Sequence, residues 1–247
     1  MKTGRMVAMA VVAVLVGVPA LAQTADEIIE KHIAASGGRA AYAKITSRVG
    51  TGAITVTTPI GDLSGTIEVS SKKPNKTRTL IKLDLTAVGA GQMTSDQRFD
   101  GTTGFVMDSL QGNRAIEGSQ LDAMKNGSFP SPLLSYKEMG TTLALGEKQK
   151  VGAKDAYVLT MTPKAGPPTR LFIDAESFML VRTAVTLNVP QLGGDIEQVV
   201  DFSDFRDVDG IKIPFVTKSS NPAQTVTATI SSVKHNVDIE DASFSKP

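Results

Sequence analysis

The chain has no cysteine, no tryptophan and only two histidines. Without cysteine there are no disulfides and no thiolate metal ligands, so stability rests on a buried core. Aromatic residues are 5% of the sequence, which makes that core mainly aliphatic. His32 has no carboxylate one helical turn away. Asp238, three residues beyond His235, points to the opposite face of an extended chain. Metal chemistry and His-based acid–base chemistry therefore lack the clustered groups they need. No Gly-x-Ser-x-Gly elbow occurs. GTGAI and GTTG lack the helix and lysine of a phosphate loop. The acidic stretch 201–209 lacks calcium-loop spacing. These absences point away from an enzyme and towards a binding protein with no cofactor and no metal.

A dominant charge is missing too. Lys and Arg number 26 against 25 Asp and Glu, and removal of an N-terminal leader carrying Lys2 and Arg5 turns the net +1 into −1. Nothing in that balance favours nucleic acid or an anionic membrane surface.

What is present begins with that leader. Lys2 and Arg5 precede an apolar run over 6–18, and Ala20-Leu21-Ala22 follows as a small-x-small cleavage pattern. The expected division is a signal peptide at 1–22 and one domain over 23–247. The apolar run is shorter than the ~20 residues a membrane span needs, so no integral membrane segment is expected after cleavage. No Cys follows the run to carry a lipid. The mature chain, about 225 residues, is long enough for a single all-β domain with its own core.

The mature N-terminus reads as a helix. Thr24 and Glu27 have capping-box spacing, Ile28, Ile29, His32 and Ile33 form one face, and Gly37-Gly38 supply the stop. A short helix over 39–45, anchored by Tyr42, comes next. Strand signals then dominate, with Gly50 and Gly52 marking a bulge or bend in the first. Asp100-Gly101-Thr102-Thr103 forms a hairpin turn, 143–151 reads as one strand, and Pro214 places its strand near an edge or bulge. One helical interruption falls midway, over 110–140. Ser119 with Asp122 resembles a capping box, and Ser131-Pro132 restarts a helix behind Phe129. Asn75-Lys76-Thr77 and Asn126-Gly127-Ser128 have the sequence of glycosylation acceptors.

The expected fold is mainly β: a single strongly curved antiparallel sheet, an unclosed barrel, with an N-terminal helix and short lid helices on its concave side. One sheet face is expected to carry Ile67, Val69, Ile81, Leu83, Leu85, Phe105 and Met107. The lid is expected to offer Leu121, Met124, Phe129 and Leu133. If the sheet curls, these eleven residues line an apolar cavity suited to acyl chains, with Gly118, Gly127 and Gly140 as hinges. Alternation alone does not separate a lined cavity from a filled core, and the alternative is a non-catalytic envelope interaction module with an envelope protein as its partner.

Four stretches carry a resemblance: ADEIIEKHIAASGGRAAYAKI near the N-terminus, FDGTTGF, DFSDFRDVDGIKIPF, and the closing HNVDIEDASFSKP. With these the chain resembles the periplasmic lipoprotein-carrier (LolA/LolB-like) superfamily, especially the outer membrane lipoprotein-sorting proteins. The resemblance implies a periplasmic location and carriage of the acyl chains of a lipoprotein or another lipid. No gating arginine of that group aligns with a position here.

Overall fold

The computed structural model describes residues 23–189 and 194–247, and the expected leader over 1–22 lies outside them. Thr24 caps α1 (Ala25–Ala35): its hydroxyl accepts from the Glu27 N–H, while the Glu27 carboxylate accepts from the Thr24 N–H at 2.9 Å. Two orphan donors are thus satisfied reciprocally. Gly37 and Gly38, both at positive φ, end this helix, and α2 (Arg39–Ala43) follows with Tyr42 buried.

Strands β1 (Ser47–Thr58), β2 (Gly61–Lys72), β3 (Lys76–Asp84), β4 (Gln92–Phe99), β5 (Gly104–Asp108) and β6 (Arg114–Ile116) form one meander. Beyond the interruption come β7 (Thr142–Leu145), β8 (Gln149–Val151), β9 (Lys154–Thr162), β10 (Thr169–Asp174) and β11 (Leu180–Val189). The last three are β12 (Gly194–Val208), β13 (Ile211–Ser220) and β14 (Thr225–His235). Together they make one 14-stranded sheet in the order β6-β5-β4-β3-β2-β1-β14-β13-β12-β11-β10-β9-β7, with β8 also on β9. The end strands β6 and β7 do not pair, so the sheet is not closed into a barrel.

Its curvature follows from what spans it. α3 (Gly118–Lys125) touches the β2–β3 turn and β4 on one side through Asn75 and Gln97. On the other, the cap residue Asn126 donates to Ala165 O in the β9–β10 loop. Eight strand steps separate β4 from β10, roughly 38 Å in a flat sheet at ~4.8 Å per step. An eight-residue helix spans only about 12 Å. Both contacts form because the sheet bends its two arms towards one another.

Glycines at the β1–β2 crossing permit the bend. The β1–β14 register shifts between Thr51 and Gly52, the expected bulge. A Cβ on Gly52 would lie 2.2 Å from Thr229 O, and one on Gly65 would lie 1.9 Å from Lys82 O. Pro214 is tolerated because β14 pairs with β13 only from Val216 onwards, leaving the Pro214 stretch paired on one side alone.

Three local expectations need correction. Ser119 does not cap α3; Glu117 takes that position with no side-chain bond, because Gly118 at φ 57° starts the helix one residue earlier. Ser131 does cap, accepting from Leu133 N–H, but only a single 3-10 turn over Pro132–Leu134 follows. The strand expected over 143–151 is two, β7 and β8, both on β9 and separated by exposed residues around Glu147.

The close backbone approach at Gly65 leaves no room for a methyl group. Gly65→Ala is expected to lower stability by about 1–3 kcal/mol, read as a lower denaturant midpoint; an unchanged midpoint would show that the β2–β3 crossing can relax.

Candidate functional site

The inner face of the sheet, which carries the helices, differs between its two arms. On the first arm Ile54, Val56, Leu83 and Leu85 are buried, with Leu63, Ile67, Ile81, Met93 and Val226 packed against them. The expected wall residues Ile67, Val69, Ile81, Leu83 and Leu85 lie on this face, since Ile67 pairs with Ile81 and Gly65 with Leu83. Phe105 and Met107 do not. Ile81 pairs with Ser95, Ser95 with Asp108 and Gln97 with Val106, which puts Val106 inside and its two neighbours outside. A one-residue difference in register exchanges the faces.

Part of the outer face of this arm, over β2–β5, is covered by the C-terminal tail. Phe244 is buried there, Asp241 bridges Lys72 and Lys76 at 2.9 and 2.6 Å, and the Lys246 ammonium sits 5.0 Å from the Phe105 ring centre. Beneath the tail, burial works to raise the Asp96 pKa, but hydrogen bonds from Arg78 and Arg98 hold it below the usual carboxylate range. Met107 edges a shallow depression beside Asp96.

The segment between the arms has two parts. Residues 129–137 are a plug. Phe129 packs with Tyr42, Ile45, Ile211, Ile213 and Phe215. Leu133 and Tyr136 join Ile28, Ile29 and Ile33 of α1 against Leu159, Leu171 and Ile173. Polar bonds fix the plug's edges: Arg39 donates to Leu134 O at 3.1 Å, Tyr136 OH donates to Asp26 at 2.5 Å, and Lys137 pairs with Asp26 at 2.6 Å. The Lys137 ammonium, then the Tyr136 hydroxyl, hold Asp26 below the usual carboxylate range. Burial and the nearby carboxylate push the Tyr136 hydroxyl up to about 12.

α3 is the other part, and it is a flap with no buried residue; Leu121 and Met124 are both half-buried. Its moorings lie at its C-terminal end. Asn75 donates to Met124 O at 2.9 Å from one arm, and Asn126 donates to Ala165 O at 2.6 Å on the other. These are the two asparagines of the acceptor-like tripeptides. Between this end of α3 and the second arm lies a recess of about 340 Å³, lined by Ala123, Gly127, Pro132, Met139, Thr141, Met161, Pro167, Thr169, Val185 and Leu187, with Asn126 and Pro163 at its edge. Of the eleven expected wall residues, none lines it. Its floor comes from β9, β10 and β11, where Met161 pairs with Thr169 and Thr169 with Val185.

No protein-family model matches the chain, and no curated protein matches it. Solved structures do. A LolA superfamily protein from Nitrosomonas europaea is similar over 91% of this chain and 99% of its own, with TM-score 0.59 and 17% identity. A domain assigned by name to outer membrane lipoprotein sorting, from Vibrio parahaemolyticus, is similar over 89% and 95%, with TM-score 0.57 and 11% identity. A DUF1329 family protein from Desulfovibrio piger is similar over 88% and 95%, at 0.57 and 15%. The fold is that of the LolA superfamily. No helix among the described residues is long and apolar enough to cross a membrane.

The end of the β1–β14 ladder also holds a polar constellation that spacing along the sequence conceals. Arg48 on β1 donates its Nε–H to His235 Nε2 at 3.1 Å, so the His235 proton sits on Nδ1 and is shared with Asp209 at 2.9 Å. Burial lowers the His235 pKa, Asp209 works to raise it and Arg48 lowers it further, which keeps the imidazole neutral. The Arg48 guanidinium also lies 5.3 Å from the Phe129 ring centre, so the group braces the plug from below. His32 is a core residue, its Nδ1–H donated to Phe178 O at 2.9 Å. Among the described residues no three His, Cys, Asp or Glu side chains gather as metal ligands.

The plug's bonds to α1 have a pH signature. Because the folded-state pKa of Asp26 is lowered, its stabilisation is complete above the unfolded carboxylate value of ~3.9 and is lost as pH falls through the lowered value. Asp26→Asn is expected to lower the thermal midpoint of the protein near neutral pH, with the gap to wild type closing in acid. A gap that persists unchanged in acid would contradict the role given to the carboxylate.

Proposed function

We propose that the protein is a periplasmic carrier that holds acyl chains of a lipoprotein or another lipid under α3, with residues 23–247 acting as one carrier domain once the leader is removed. One observation carries the reading: an apolar recess of about 340 Å³ lies beneath a helix that buries none of its own residues. That volume is at the lower end of the ~300–1,000 Å³ typical of small-molecule sites. Such a helix loses little packing when it lifts, and its release requires chiefly the Asn75 and Asn126 bonds to break. When it lifts, Leu121 and Met124 move with it, and the half-buried Ile67 and Ile81 extend the apolar surface towards the first arm. Phe129 and Leu133 stay behind as part of the plug. Phe105 and Met107, on the outer face, take no part. The fold shared with the lipoprotein-sorting domain supports the reading.

The packed first arm, with Ile54, Val56, Leu83 and Leu85 buried, favours a second reading, an envelope interaction module with a filled interior and an envelope protein partner. Organic extraction and mass spectrometry of protein purified from its own periplasm separate the two. The carrier releases acyl-containing species, and Val185→Trp, which fills the recess, cuts their yield at least several-fold while the chain stays folded. Repeated recovery of empty protein, with no binding of a fatty-acid probe, would leave only the interaction module. The same preparation tests export: its N-terminal residue is expected to be Gln23, and an N-terminus still carrying the 1–22 stretch would contradict cleavage.

A further inference from the structure

The lining of the recess is mainly apolar, with Thr141, Thr169 and Asn126 as its polar residues, and the Asn126 amide is already bonded to Ala165 O. Thr141 is only 9% exposed and has a hydroxyl without a hydrogen-bond partner among the described residues. Its backbone N–H is held by Tyr136 O at 2.9 Å, so the plug fixes where the residue sits. That hydroxyl is free to bond a group that enters the recess.

Lys164 stands beside it. Its side chain folds across Gly140: a Cβ there would lie 2.1 Å from Lys164 Cε and 2.8 Å from Nζ. Gly140 is flanked by Met139 and Thr141, and Lys164 by Pro163, all three in contact with the recess. The ammonium forms no ion pair among the described residues. A hydroxyl in the lining and an ammonium beside it, next to Gly140, therefore stand at one edge of a mainly apolar space.

Resting on the carrier reading, we propose that this recess takes one acyl chain ending in a carboxylate, a fatty-acid anion, with its tail along Met161, Val185 and Leu187 and its head between Thr141 and Lys164. Size limits the chain number. At about 30 Å³ for a water-sized group, a volume of about 340 Å³ holds on the order of eleven methylenes, which is one chain of medium length. On the inner face of the first arm, Ile54, Val56, Leu83 and Leu85 are packed by their own neighbours. Charge limits the head. Lys164 is the one cation beside the recess in this argument, and a singly charged carboxylate matches one ammonium where a phosphate dianion would keep an uncompensated charge.

Titration of the delipidated mature chain tests this with dodecanoate, dodecanol, dodecyltrimethylammonium and a triacylated lipopeptide. Dodecanoate is expected to bind about three- to tenfold more tightly than dodecanol, the scale of a charge-assisted bond near solvent, and the cationic amphiphile more weakly than both. Lys164→Gln and the near-isosteric Thr141→Val should each shrink the dodecanoate preference while leaving dodecanol affinity in place, which also reports intact folding. Equal binding of dodecanoate and dodecanol would overturn the head-group assignment. Binding of the lipopeptide but not of dodecanoate would overturn the inference and leave the carrier reading standing. Binding of no acyl species would overturn both.

Discussion

The ten-residue ladder between β1 and β14 turns two meanders into one sheet. It joins the first strand of the chain to the last, so the arm built by 47–116 and the arm built by 142–220 share one continuous inner face. The ladder is a contact of long sequence separation, formed at the cost of closing a large loop. Its bulge at Thr51/Gly52, with the glycine contacts at Gly52 and Gly65, supplies the bend that lets one short helix reach both arms. The Arg48–His235–Asp209 group sits at one end of the same ladder. The lid, its recess and the brace under the plug all depend on this pairing.

The interruption between the arms combines a fixed and a loosely held part. The plug buries Phe129, Leu133 and Tyr136 in two core clusters and is bonded to α1 and α2. α3 has no fully buried residue and hangs from asparagine side chains. Full burial of large side chains in one, against only the half-buried Leu121 and Met124 in the other, places them far apart in the range of local opening free energies. The proposed carriage of acyl chains needs this combination: a core that stays intact while the flap lifts.

Much of the fold was legible because local chemistry agreed with global structure. The Thr24–Glu27 box, the Gly37-Gly38 stop and the Asp100–Thr103 turn each need only neighbouring residues. Register was harder. Along β4 and β5 the inner face carries Ser95, Gln97 and Asp108 beside Phe99 and Val106, so polarity did not mark the face, and Phe105 and Met107 were placed inside instead of outside. The recess was not legible at all. Thr141, Met161, Val185 and Leu187 come together through the β7–β9–β10–β11 pairings and a helix supplied by the middle of the chain, and no spacing encodes that meeting. His235 and Asp209, 26 residues apart, meet for the same reason.

The division into plug and flap is the centre of the account, and hydrogen exchange measured with and without bound lipid tests it most directly. The amides of 118–126 are expected to exchange fast in the empty protein and to change on lipid loading, while those of 131–136 stay protected in both states. Equal protection of the two segments, or loading that leaves 118–126 unchanged while loosening 131–136, would contradict it.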